Sequence, residues 1–148
     1  MKRYRRFAKF TVLEKFLAKG WLRLGGKRYS EKDRIWAGNR LADVYFRCAF
    51  PAAQAINPAR VFVDVSKGGK EMFDKVLAAR EEYFAIMAKI HKDYWPIVRR
   101  VCIEDKEPVV VGEKKLMRKA LVSFSLKVDL CRGLDELIDF YREKDNSV

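Results

Sequence analysis

The 148-residue sequence has one histidine, three cysteines and four prolines, and its first 28 positions hold a single acidic residue, Glu14. Each scarcity excludes something. His91 makes no metal-ligand spacing with Cys48, Cys102 or Cys131, and no local Cys–His pair for nucleophilic catalysis is present. An odd, widely separated set of cysteines in apolar surroundings reads as free thiols in a reducing cytoplasm. No apolar run approaches the roughly 18 residues of a membrane span, and the basic start Met1-Lys-Arg-Tyr-Arg-Arg-Phe7 is not followed by a run of signal length. Gly20-Trp-Leu-Arg-Leu-Gly-Gly26 and Ser66-Lys-Gly-Gly-Lys70 lack the spacing of a phosphate-binding loop. Glu81 and Glu82 are adjacent and cannot share one helix face, so they read as solvated. The expectation is a cytoplasmic protein that is not an enzyme, with no cofactor, no metal site and no membrane association.

What the chain has in quantity is apolar residues (49%), aromatics (13%) and positive charge, with 32 Lys and Arg against 20 Asp and Glu for a net +12. That composition is a folded chain, and its length suits one domain that buries about two thirds of its unfolded surface without metal or disulfide. A surplus this large repels itself in the compact state, and a polyanion is the obvious partner; solubility alone is the plainer reading. The charge is uneven. Residues 1–28 carry ten Lys/Arg, residues 29–98 are nearly balanced, residues 99–132 are basic again, and residues 133–148 are acidic.

Apolar periodicity predicts helices almost throughout. Phe7, Phe10, Leu13 and Leu17 share one face of a basic amphipathic helix over 4–19, stopped by Gly20, with Arg5, Arg6, Lys9 and Lys15 mainly elsewhere on the wheel. That segment, 1–28, reads as an arm that contacts phosphates, a helix packed on the body or, least well, a membrane-surface helix. Trp21, Leu22 and Leu24 pin the Gly-rich connection after it. Ser30 with Asp33 resembles a capping box and starts a helix whose face is Ile35, Gly38, Leu41, Tyr45 and Ala49, ending near Phe50-Pro51. Gly38 and Ala42 allow a second helix close. Residues 51–70 read as loop, with a turn of helix at 52–56 and a weak strand pattern at Val61-Phe-Val-Asp-Val65. A long helix from about Lys70 to Lys92 is expected to bury Phe73, Val76, Arg80, Phe84, Met87 and Ile90. Pro96 opens a helix over 94–104 with Ile97, Val98, Val101 and Cys102 inward and Arg99 and Arg100 outward. After a turn at 104–108, Leu116, Ala120, Leu121 and Phe124 fit one helix, and Leu126, Leu130, Leu134, Leu137 and Tyr141 a second, with a break near 122–125. One continuous helix of about 28 residues fits the same pattern, but would be long for this size of domain.

The last three helices make a trihelical, helix-turn-helix-like unit over 94–142. In such a unit the final helix enters the major groove and the one before it crosses the backbone. The candidate DNA contacts are Lys114, Lys115, Arg118 and Lys119 on the penultimate helix, Lys127 and Arg132 on the last, Arg99 and Arg100 at the rim, and Arg5, Arg6 and Lys9 on the N-terminal arm. Arg and Lys neutralise phosphates, and Arg grips guanine in bidentate fashion. Any soluble helix shows basic side chains opposite an apolar stripe, but four cations within six residues at 114–119 cost self-repulsion. After Arg132 the last helix turns acidic with Asp135, Glu136 and Asp139, so only its first turns can face DNA. Tyr83, Tyr94 and Trp95 are aromatic enough to stack on bases, but no RNP-type strand is there to hold them.

Three segments, Ile35-Trp-Ala-Gly-Asn-Arg-Leu-Ala-Asp-Val-Tyr-Phe-Arg-Cys-Ala49, Tyr94-Trp-Pro-Ile-Val-Arg-Arg-Val-Cys-Ile-Glu104 and Lys127-Val-Asp-Leu-Cys-Arg-Gly-Leu-Asp-Glu-Leu-Ile-Asp-Phe-Tyr141, in that order, carry a resemblance. The chain resembles alphaproteobacterial and phage-associated basic domains of unknown function found in or beside helix-turn-helix regulators. The resemblance implies DNA-associated regulation without catalysis. It carries over Gly38, Arg40 and Tyr45 as packing or surface-network positions and Lys127 and Arg132 as DNA contacts. Where that family has an Arg/Ser/Gly-rich turn before its last helix, this chain has Val122-Ser-Phe-Ser-Leu126. The functional expectation is an all-α, single-domain binder of double-stranded DNA in transcription regulation, with a homodimer on palindromic sites and RNA polymerase or another protein as further partners. The alternative is a phage- or host-encoded interaction module that captures an acidic protein.

Overall fold

The computed structural model describes residues 10–50, 69–109 and 116–146. Its regular structure is α1 (Val12–Ala18), a 3-10 turn (Trp21–Arg23), α2 (Glu31–Arg47), α3 (Gly69–Lys89), α4 (Trp95–Val98), which runs on as a π turn (Arg99–Ile103), and α5 (Leu116–Asn146). Among the described residues the domain is thus all-α with five helices, as periodicity predicted, and no strand occurs there. The strand pattern at 61–65 and the helical turn at 52–56 lie outside them, as does the expected helix before residue 10.

Local chemistry sets the helix starts. Thr11 accepts a hydrogen bond from the Glu14 amide at 3.1 Å, and Ser30 accepts one from Asp33 at 3.2 Å, the cap expected of that pair. A second α1 amide, Val12, donates across the fold to Asp105 at 2.7 Å. Gly20 stops α1 with φ +74, a left-handed backbone that costs glycine nothing.

α2 is the hub and packs on α1, α3, α5 and the π turn. It buries Ala37, Leu41, Val44 and Cys48. At Gly38 an added Cβ would lie 2.4 Å from Leu13 Cδ2 and 3.1 Å from Cys102 Sγ, so this glycine does permit the close approach expected of it. Gly133 does the same where α5 meets α4, with Val98 Cγ2 at 2.4 Å from a hypothetical Cβ. Ile97, Val98, Val101 and Cys102 point inward as predicted, and Leu130, Leu134, Leu137 and Tyr141 are fully buried beside Ile138.

Two expectations fail. On α3 the buried stripe is Ala79, Tyr83, Ile86 and Ile90, whereas Phe73, Leu77, Phe84 and Met87 are exposed. Both stripes have helical spacing, and the one chosen puts Tyr83 into an aromatic cluster with Tyr45, Phe50 and Trp95. Buried there, Tyr83 is not a base-stacking surface. On the C-terminal side, the break near 122–125 is absent. One helix of 31 residues, about 46 Å long, replaces the penultimate and last helices of the trihelical unit. Ser123 and Ser125 disfavour a helix by well under 1 kcal/mol each, and neither Gly nor Pro stands within 122–125 to end it. Only the second half of α5 lies in the core. In its first half Ala120, Leu121 and Phe124, expected to be buried, are exposed.

A candidate nucleic-acid interface

The connection between α1 and α2 is held by one side chain that sequence reasoning passed over. Arg34 on α2 is fully buried, and all five of its N–H groups have acceptors. Nε donates to Asp135 Oδ1 at 2.8 Å and Nη2 to Asp135 Oδ2 at 2.9 Å, a bidentate pair with α5. Nη1 donates to the carbonyls of Leu22 at 2.6 Å and Leu24 at 2.7 Å, and Nη2 also to Gly26 at 3.1 Å. Burial works against the guanidinium's charge, but hydrogen bonding and charge attraction from Asp135 and Cys131 together offset it, and the pKa stands above its ordinary value. Arg34 therefore fixes the 3-10 turn, and with it Trp21, against α5. The Cys131 thiol closes the same joint by donating to the Trp21 carbonyl at 3.3 Å.

Around Trp21 and Glu107 the structure gathers cations from three parts of the chain. Lys127 Nζ of α5 lies 3.6 Å from the indole ring centre, and Lys19 Nζ, just past α1, lies 4.6 Å from it. Phe16 packs edge-on to the indole at 5.0 Å. Arg100 of the π turn donates from Nε to the Glu107 carbonyl at 2.6 Å, and Lys15 of α1 approaches the Glu107 carboxylate at 3.8 Å. Phe16, Lys19, Trp21, Glu107, Pro108, Ser123 and Lys127 line a cleft of about 130 Å³. Four cations thus converge on a seam in which Glu107 is the one acid these contacts include.

The predicted contacts divide accordingly. Arg100 and Lys127 join this seam, together with Lys15 and Lys19, which the prediction left out. The signal for Lys19 was present, since it stands two residues from a tryptophan in the basic segment. Arg99, on the same π turn, is exposed, as are Arg118, Lys119 and Arg132 on α5. Arg118, Leu121, Ser125 and Arg132 share one outward face by helical spacing. Beside Arg132, burial raises the Asp129 carboxyl above its ordinary range, Arg132 opposes this, and Asp93 adds to it. Arg5, Arg6, Lys9, Lys114 and Lys115 lie outside the described residues.

The acidic end of α5 has an internal role. Each of its five acidic residues after Arg132 meets a group of this same domain. Asp135 holds Arg34, and Glu136 accepts the His91 amide at 2.8 Å. Asp139 accepts from the Tyr29 hydroxyl and pairs with Arg28 at 3.1 Å. Glu143 pairs with Lys89 at 3.3 Å and Asp145 with Arg40 at 3.5 Å. Arg40 also lies 4.1 Å from the Tyr141 ring centre, a cation–π contact. His91 is exposed and accepts the Asp93 amide at 3.1 Å.

The thiols are sequestered. Burial pushes Cys102 up to about 12 and Cys131 to about 11, and Cys48 is raised for the same reason. Among the described residues, no group of three or more His, Cys, Asp or Glu is placed to hold a metal ion, and no helix is long and apolar enough to cross a membrane. Comparison with protein-family models, with curated proteins and with solved structures finds no match to this chain.

Proposed function

We propose that the protein binds double-stranded DNA without catalysis, in transcription regulation, through the cations of the first half of α5 and of the seam beside it. One observation carries the reading: the charge of α5 is uneven, with cations prevailing up to Arg132 and acids after it. The five acids after Arg132 are engaged by the domain itself, whereas Lys119, Lys127 and Arg132 lie upstream on the same helix with Lys15, Lys19 and Arg100 nearby in the seam. Phosphate binding rewards that arrangement, because each neutralised phosphate releases condensed counterions. The groove-facing element in this reading is the exposed half of one continuous helix, whose diameter suits the major groove, with Arg99 at the backbone. The kinship with regulator-associated domains, a homodimer on palindromic sites and contact with RNA polymerase belong to the same proposal.

A mobility-shift titration at several salt concentrations tests it. Four to six phosphate contacts give a log–log slope of about −4 to −5 on duplex DNA. Changing Lys114, Lys115, Arg118 and Lys119 together to Glu abolishes binding, while changing Lys70 and Lys75 to Glu weakens it much less. A slope near zero, or equal losses in the two variants, would overturn the proposal. A second reading, capture of an acidic protein, is favoured by Leu121 and Phe124, which are 66% and 54% exposed on the same half-helix. Phosphates give such side chains nothing. A salt-sensitive complex with protein, and no shift of any DNA probe, would replace the first reading with this one.

A further inference from the structure

The Trp21 cleft is built for more than charge. Three of its walls are apolar: Phe16, Trp21 and Pro108. Ser123 and Glu107 add polar side chains, and Lys19 and Lys127 line it too, with their ammoniums over the indole. Its volume of about 130 Å³ is that of roughly four liquid water molecules, about the size of one planar ring. Phosphate alone has no use for an indole face or a proline. A paired base cannot use them either, because both of its faces are already stacked inside the duplex.

We infer that this cleft takes one unpaired nucleotide, with its base stacked on Trp21 and its flanking phosphates on Lys19 and Lys127. The inference rests on the nucleic-acid reading above and adds to it a preference for single-stranded segments. The Lys127 ammonium, 3.6 Å over the indole in the free protein, moves from the ring to a phosphate as the base arrives. Little affinity is lost in that exchange, since an exposed cation–π contact is weak beside a charge-assisted bond to phosphate. Ser123 and Glu107 supply one donor–acceptor hydroxyl and one acceptor to a base edge, and Glu107 disfavours bases that present only acceptors there. Arg34 keeps the site formed before the ligand comes, by holding the Leu22, Leu24 and Gly26 carbonyls.

Intrinsic tryptophan fluorescence of the unaltered chain provides the test. The probes are a 12-nucleotide oligothymidylate, its ribose counterpart, a blunt duplex and inorganic polyphosphate. Stacking on Trp21 predicts quenching by the single strands and little by the duplex or polyphosphate. Trp21→Phe removes the quench yet keeps most of the affinity. Trp21→Ala lowers single-strand affinity about tenfold, the scale of one base–aromatic stack, and leaves duplex affinity within about twofold. Quenching by polyphosphate equal to that by the oligonucleotide reduces the cleft to a phosphate seat and overturns the inference. Equal loss of single-strand and duplex affinity in Trp21→Ala overturns it as well. Duplex binding with no single-strand quench sinks the cleft and spares the duplex reading, and the reverse result sinks the duplex reading alone. A DNA quench without an RNA quench, or the converse, identifies which sugar the cleft accepts. Trp36 is exposed as well, so Trp36→Phe, which leaves the cleft untouched, is expected to keep the quench, and its loss there overturns the inference.

Discussion

Arg34 has more structural consequences than any other described side chain. Five N–H groups, five acceptors and complete burial make it a joint between α2, the 3-10 turn and α5. Nothing in the linear pattern marks it. Among 32 Lys and Arg it looks like one more solvated cation, and its partner Asp135 is 101 positions away. Such pairing comes from the tertiary fold and has no local signature. Arg34→Met leaves the Asp135 carboxylate buried without its cation, and three carbonyls lose their donor. Removing one partner of a buried pair costs about 3–5 kcal/mol. Urea denaturation of Arg34→Met is expected to show that loss, with Arg34→Lys recovering only part of it because an ammonium cannot reproduce the fork. A loss below about 1 kcal/mol would show that the 3-10 turn is held by packing alone. The Tyr141 hydroxyl is the opposite case, buried without a hydrogen-bond partner among the described residues and its pKa raised by that burial.

At the scale of elements, what the sequence made legible was whatever local chemistry decides. The Ser30 cap, the Gly20 stop, Pro96 in the first turn of α4, Gly38 as a contact point and the inward set of α4 were all readable, because each depends on neighbours in sequence. The errors fell where two local solutions were nearly equal. α3 carries two apolar stripes one step apart on the wheel, and only the aromatic cluster around Tyr83 selects between them. α5 carries apolar residues past the end of the core, which a reader of periodicity takes for a second buried helix. Of the candidate site, Arg100 and Lys127 were legible, but their meeting with Lys19 around Trp21 was not, since it requires the position of the 3-10 turn. The two halves of α5 differ in a measurable way. Leu134→Ala removes a fully buried side chain and is expected to cost about 2–5 kcal/mol. Leu121→Ala, in the exposed half, is expected to change stability by no more than about 0.5 kcal/mol. Chemical denaturation of both variants checks this, and a large loss in Leu121→Ala would mean that the first half of α5 is packed on something.

For the molecule as a whole, the question is where a surplus of twelve positive charges goes. The exposed pairs at the acidic end, Arg28–Asp139, Lys89–Glu143 and Arg40–Asp145, contribute at most about 1 kcal/mol each and weaken with salt. Repulsion among the remaining cations also weakens with salt, over a Debye length of about 8–10 Å at physiological strength. The two effects have opposite signs, and the size of the surplus makes repulsion the larger. Sodium chloride raised from about 20 to about 300 mM is therefore expected to increase Tm by several degrees, where about 1 kcal/mol corresponds to some 2–4 °C in a domain of this length. Over the same range DNA affinity is expected to fall by orders of magnitude, because the cations that destabilise the free domain are those that bind phosphate. A polyanion adds stability by a second route, since it binds the folded arrangement of cations more tightly than the unfolded chain. Differential scanning fluorimetry in chloride, beside mobility shifts in the same buffers, reads both trends. A Tm that stays flat or falls with salt would mean that the domain's own ion pairs already balance its charge. The surplus would then exert no net strain, and the physical case for a polyanionic partner would lose its driving force.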